Sequence, residues 1–175
     1  MEPDGPSGGA RPILRLRTLY TFENIGLARP FRYHVAMTEA WSDDLLLSVP
    51  MIDREHREIL DRATDFGGAV DAGLPKKVLE QRLAAFIGSV DEHFASEEQL
   101  MYSSAYPDLE AHHAEHNRLF TQLHMVGEEF GSGKIQPGGA LGLFLRVWTE
   151  QHIVGADQQF GGFLKETGQL GLAGG

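Results

Sequence analysis

Residues 93–116, HFASEEQLMYSSAYPDLEAHHAEH, hold four of the chain's eight histidines and five of its 25 acidic residues. Imidazole and carboxylate groups at this density can bind a transition metal, form a proton-sensitive switch, or make up a solvated polar face. Spacing separates these readings. His93 and Glu97 are four residues apart, as are His112 and His116. On a helix such pairs lie one above the other and can grip one ion or two adjacent ions. The chain contains no cysteine, which removes disulfides, thiolate metal sites and cysteine nucleophiles.

The elements that must carry these groups are helices. Apolar residues recur at three-and-four spacing over 52–70 (Ile52, Ile59, Leu60, Ala63, Phe66) and over 76–101 (Leu79, Leu83, Phe86, Val90, Phe94, Leu100, Met101). A third run opens at YPDLE, where Pro107 suits the first helical position, and continues through Leu119, Phe120 and Leu123. A fourth covers 137–160, with Leu141, Phe144, Leu145 and Trp148. Gly- and Pro-containing turns separate them, and strand-like alternation is absent. The pattern predicts an all-α fold, an antiparallel up-down-up-down four-helix bundle.

His56, His93, His112, His116 and His152 fall on the apolar stripes, with Glu97; Asp157 follows His152 by five positions. Ionised carboxylates inside a core need a partner. Five imidazoles and two carboxylates exceed what one four-coordinate zinc takes. They suit two octahedral-type ions bridged by both acids and an oxo or hydroxo group, and donors without sulfur favour iron or manganese. Two divalent ions, two carboxylates and one hydroxide sum to about +1, a tolerable buried charge. Helical period alone does not choose between His112 and His113. His124 is expected to face outward, and His34 lies in the N-terminal segment.

The chain has 175 residues and a formal charge of -10, which suits one domain with an appended segment and disfavours general nucleic-acid binding. Residues 1–36 carry five Arg against three acids and are rich in Gly and Pro at the start. They read as a disordered extension, without the apolar stretch of a signal peptide. Met37 is a candidate translational start. Residues 37–166 are expected to form the helical domain and 167–175 a frayed tail. No apolar run is long enough to span a membrane, and a cytoplasmic location is expected.

The motifs resemble those of the hemerythrin family, specifically its bacterial single-domain members. Trp41 followed by IDREH (52–56), HFASEEQLM (93–101), YPDLEAHHAEH (106–116) and WTEQHIVGAD (148–157) are similar to its four signatures. The tyrosine-to-histidine spacing of the third selects His112. The resemblance implies reversible O2 binding at two non-haem iron ions. It implies that His112, His116 and His152 hold one iron, that His56 and His93 hold the other with a position left open, and that Glu97 and Asp157 bridge. Ile59, Phe94, Trp148 and Val154 are the expected apolar walls. Thr149 departs from the family, which usually has an apolar residue there. Its hydroxyl could reach a bound ligand or admit water, or could bond its own backbone carbonyl. The first alternative leaves room for a di-iron enzyme reducing peroxide or handling nitric oxide. A ferritin-like oxidase would need Glu-x-x-His on two helices, and only Glu110–His113 fits that motif here.

Overall fold

Pro50 opens the first helix, α1 (Pro50–Asp71), from a position where its missing N–H costs nothing. Its entry is fixed by Asp53, whose carboxylate accepts the Leu47 N–H at 2.8 Å. Three further long helices follow: α2 (Lys76–Ser103), α3 (Leu109–Gly131) and α4 (Gly139–His152). A π-helical segment, Ile153–Asp157, joins α4 to the short α5 (Gln158–Glu166). This structure, a computed structural model, describes residues 41–171. The expectations for residues 1–36, His34, Met37 and residues 172–175 lie outside the described residues. Within them the fold is an all-helical four-helix bundle, and no helix is long and apolar enough to cross a membrane.

The apolar stripes form the core as their spacing requires. Ile52, Leu60 and Phe66 of α1, Leu79, Phe86 and Met101 of α2, Leu123 and Phe130 of α3, and Leu145 of α4 are all buried. One apolar layer closes the end of the bundle with Leu45, Leu47, Val49, Ile52, Leu100, Met101, Tyr106, Ile153, Phe160 and Leu164. Trp41 packs against this layer, and the Arg57 guanidinium lies 4.6 Å from its ring centre. At the other end α1 and α4 touch backbone to backbone. A Cβ at Gly142 would lie 2.7 Å from the Gly67 Cα. That approach leaves no room for a side chain at Gly142 on α4, while a Cβ at Gly67 would meet α4 at an ordinary 3.7 Å.

Two boundaries differ from the sequence reading. Pro107 lies in a turn rather than at the first helical position, and α3 starts at Leu109 with Asp108 as its cap. The buried Tyr106 ring explains the delay: it packs 5.0 Å from Phe160 and 5.2 Å from Phe163, holding the turn against α5. The fourth run, expected as one helix over 137–160, starts at Gly139 and gives way to the π segment after His152. Within the expected tail, two residues contact the bundle. The Gln169 amide donates to the Ser104 carbonyl at 3.3 Å, and Leu170 packs on the end layer.

Candidate metal centre

Each helix interrupts its apolar stripe with polar side chains at the same level of the bundle. On α1, His56 sits between the buried Ile52 and Ile59; on α2, His93 and Glu97 sit between Val90 and Leu100. On α3, His112 and His116 precede Leu119, and on α4 His152 follows Trp148. Asp157 needs a different device. In an α-helix a residue five positions on points well away from the first. The π turn over 153–157 adds one residue to the turn, and brings Asp157 Oδ1 to 3.1 Å from His152 Nε2.

The seven side chains converge and are almost wholly enclosed. They divide into two groups that share Asp157: Glu97, His112, His116, His152 and Asp157 in one, and His56, His93 and Asp157 in the other. Asp157 faces both. Its Oδ2 lies 3.1 Å from His56 Nε2, and its Oδ1 lies 3.3 Å from His112 Nε2. Glu97 Oε2 is 3.3 Å from His112 Nε2, 3.5 Å from His116 Nε2 and 4.0 Å from His93 Nε2.

Three observations show that this donor set fits metal ions. First, none of the four oxygens of Glu97 and Asp157 accepts a hydrogen bond of good geometry, although both residues are fully buried. Such orphaned charge needs an explanation. Second, the inner imidazole nitrogens crowd one another: His116 Nε2 lies 2.9 Å from His152 Nε2 and 3.0 Å from His112 Nε2. Neighbouring ligands at right angles on bonds of about 2.1 Å would be about 3.0 Å apart, against about 3.4 Å for a tetrahedron. The spacing therefore suits octahedral coordination. Third, the donors are nitrogen and oxygen only, the chemistry of iron, manganese and similar ions.

Without metal the electrostatics are unfavourable. Burial, then the neighbouring Asp157, pushes the Glu97 carboxyl up to about 7. Burial opposes the ionised form of Asp157 too, but His152, His112 and His56 outweigh it and hold its carboxyl well below the usual range. His112 is affected first by burial, which lowers it, yet Asp157 and Glu97 carry it up to about 9. Burial and the adjacent His152 push His116 down to about 2, and burial brings His152 to about 4. Two rings in one cluster thus strongly prefer to be neutral while a third holds a proton, a frustration that a divalent ion would remove.

The expected walls are partly in place. Phe94 stacks on the His116 ring, with centroids 3.8 Å apart and planes 10° from parallel, and also meets His93 and His152. Ile59 and Trp148 are buried. Val154 is a correction: it is 51% exposed and lines nothing inside. Two residues after His152 lie about 200° round the helix, so Val154 faces outward and Ile153, four residues after the buried Thr149, lies inside. The Thr149 hydroxyl donates to the Leu145 carbonyl at 2.9 Å, the self-bonded alternative. His113 is exposed, and His124 is exposed with its ring against Phe120.

Two acidic residues outside the expected set touch the outer side of the cluster. Glu55 Oε2 lies 3.2 Å from His93 Nδ1 and accepts the Ser96 hydroxyl at 2.6 Å. Glu98 Oε1 lies 2.8 Å from His116 Nδ1, and its Oε2 lies 2.9 Å from His113 Nδ1. The apolar stripes mark neither, because each sits one residue off the buried face. Their adjacency to His56 and Glu97 is the only sequence signal.

A model of the hemerythrin HHE cation binding domain matches residues 47–164. The chain is 30% identical over 114 residues to the bacteriohemerythrin of Methylococcus capsulatus, covering 65% of this chain and 86% of that protein. It is 27% identical over 120 residues to the bacteriohemerythrin of Stenotrophomonas maltophilia, covering 69% and 77%. The crystal structure of a wild-type hemerythrin superposes with a TM-score of 0.65 at 27% identity, over 71% of this chain and 95% of that one. A domain match over most of the described helices, with the same bundle in solved relatives, shows that the chain belongs to the hemerythrin family, whose members are in general O2-binding proteins of non-haem iron.

Proposed function

We propose that this chain binds O2 reversibly at two iron ions, for oxygen storage, delivery or sensing. The observation that carries the reading is the unequal division of the donors. One group offers three imidazoles and two carboxylates, and the other offers two imidazoles and the shared Asp157. In this assignment His112, His116 and His152 hold one ion, and His56 and His93 hold the second. Glu97 and Asp157 would supply the carboxylates between them, with an oxo or hydroxo group as the further bridge. The second ion is left short of protein donors, and that shortfall is where a small ligand would bind. When bound, an iron pair supplies the electrons that O2 takes up.

The chain's own contribution is enclosure and orientation. Phe94 lies against His93, His116 and His152, and the apolar Ile59, Trp148 and Ile153, near the ligands in sequence, are buried, an arrangement that would keep water from the donors. Because the Thr149 hydroxyl hydrogen is already committed to Leu145, the pocket gains no free donor there. Thr149 thus adds no support for peroxide or nitric oxide chemistry. The test is anaerobic loading with iron(II), followed by metal analysis and absorption spectra under air and again under argon. About two irons per chain and an oxygen-dependent band that disappears under argon are expected. One zinc per chain with no oxygen-dependent band would overturn the reading.

A further inference from the structure

We propose that Glu55 and Glu98 are positioning residues. Each fixes the proton of one imidazole on its outer nitrogen, so that the inner nitrogen of that ring enters the cluster as a free lone pair. The inference rests on the ligand assignment above and extends it to residues that the assignment does not contain.

The geometry distributes these anchors one to each half of the cluster. Glu55 meets His93 Nδ1 in the three-donor group, and Glu98 meets His116 Nδ1 in the five-donor group. A carboxylate accepts and cannot donate when ionised, so both Nδ1 atoms carry hydrogen. Each ring's Nε2 then presents its lone pair to the cluster. His56 Nε2 lies 3.2 Å from His93 Nε2, and His112 and His152 Nε2 lie 3.0 and 2.9 Å from His116 Nε2. By contrast, the buried Nδ1 atoms of His56 and His152 have no hydrogen-bond partner. No carboxylate stands behind those two rings at Nδ1.

Both carboxylates are themselves held. Ser96 donates to Glu55 at 2.6 Å. Glu98 spans from α2 to two rings of α3, His113 and His116. Their side chains are 22% and 26% exposed, so neither position depends on the core for space. A carboxylate behind a ligating imidazole fixes its tautomer and raises its basicity, and its loss typically costs 10–100-fold in metal affinity.

The experiment uses the full chain with Glu55→Ala, Glu55→Gln, Glu98→Ala and Glu98→Gln. Long-range proton–nitrogen NMR of the metal-free protein reads the tautomer of each histidine. His93 and His116 are expected to carry hydrogen on Nδ1 in the wild type. Glu55→Ala should release His93 alone and Glu98→Ala His116 alone, while the glutamine variants, which still offer an accepting oxygen, should keep the wild-type tautomer. Iron release to a chelator should be 10–100-fold faster in the alanine variants and closer to wild type in the glutamine variants. A wild-type protein with hydrogen on Nε2 of either ring overturns the proposal. So do alanine variants that keep both the tautomer and the iron. A protein that holds iron but binds no O2 would remove the functional reading and leave the tautomer result standing.

Discussion

At the scale of single residues, the shared carboxylate should matter more than any one imidazole. Asp157 belongs to both donor groups and His56 to one. His56→Ala is expected to keep roughly half of the wild-type iron, whereas Asp157→Ala should weaken both halves and fall well below that. Metal analysis after identical loading reads the difference; equal losses would show that Asp157 serves one half only. Thr149 gives a second test. With its hydroxyl on Leu145, Thr149→Val keeps the shape and removes a bond internal to the helix. Stability should change by less than about 1 kcal/mol, and the oxygen-dependent band should decay in air at the wild-type rate. A slower decay in the valine variant would place the hydroxyl at the metal after all. The sequence supplied the residue types at this scale but could not supply directions. Thr149 has two uses at one position, and Val154, two residues after the inward-facing His152, falls on the opposite face of the helix.

Elements were legible where one face of a helix is apolar. The runs expected at 52–70 and 76–101 are the cores of Pro50–Asp71 and Lys76–Ser103. Legibility failed where backbone geometry changes without a change in hydropathy. Nothing in IVGAD announces a π turn, and the five-residue spacing from His152 to Asp157 makes sense only once that turn is seen. The close crossing of α1 and α4 is hidden for the same reason, since a glycine in a helical pattern reads as a weak point and not as a contact. That crossing predicts an asymmetry. A Cβ on Gly142 would overlap the α1 backbone, while a Cβ on Gly67 would lie an ordinary 3.7 Å from the Gly142 Cα. Gly142→Ala should cost about 1–3 kcal/mol by overpacking, and Gly67→Ala should be neutral or gain up to about 1 kcal/mol in helix propensity. Chemical denaturation of both variants checks this. Helix ends predict a further effect. Gly73 and Gly133 take positive φ after α1 and α3, but α2 is followed by Ala105 at φ 54°. Ala105→Gly should therefore stabilise the bundle by roughly 0.5–1 kcal/mol, the relief of left-handed strain less the added chain entropy.

For the whole molecule, the centre is a cost that the bundle carries until metal arrives. Seven polar side chains interrupt a core that is otherwise apolar at both ends. Four carboxylate oxygens and the Nδ1 atoms of His56 and His152 have no hydrogen-bond partner. Each buried group left unsatisfied costs about 1–3 kcal/mol, so several kcal/mol of packing energy is offset at this one level. Ions that bind the folded chain and not the unfolded one repay it by mass action. The iron-loaded protein is expected to melt about 10 °C or more above the metal-free protein, since a few kcal/mol shifts the midpoint of a domain this size by several degrees each. The same scan on Glu97→Ala should show a much smaller gap, because two cations would face each other with one bridge missing. Melting curves recorded by circular dichroism with and without iron decide this. Coincident wild-type curves would mean that the polar level is satisfied without metal, and the donor geometry would then need another explanation. A large gap that survives in Glu97→Ala would instead assign the bridging work to Asp157 alone.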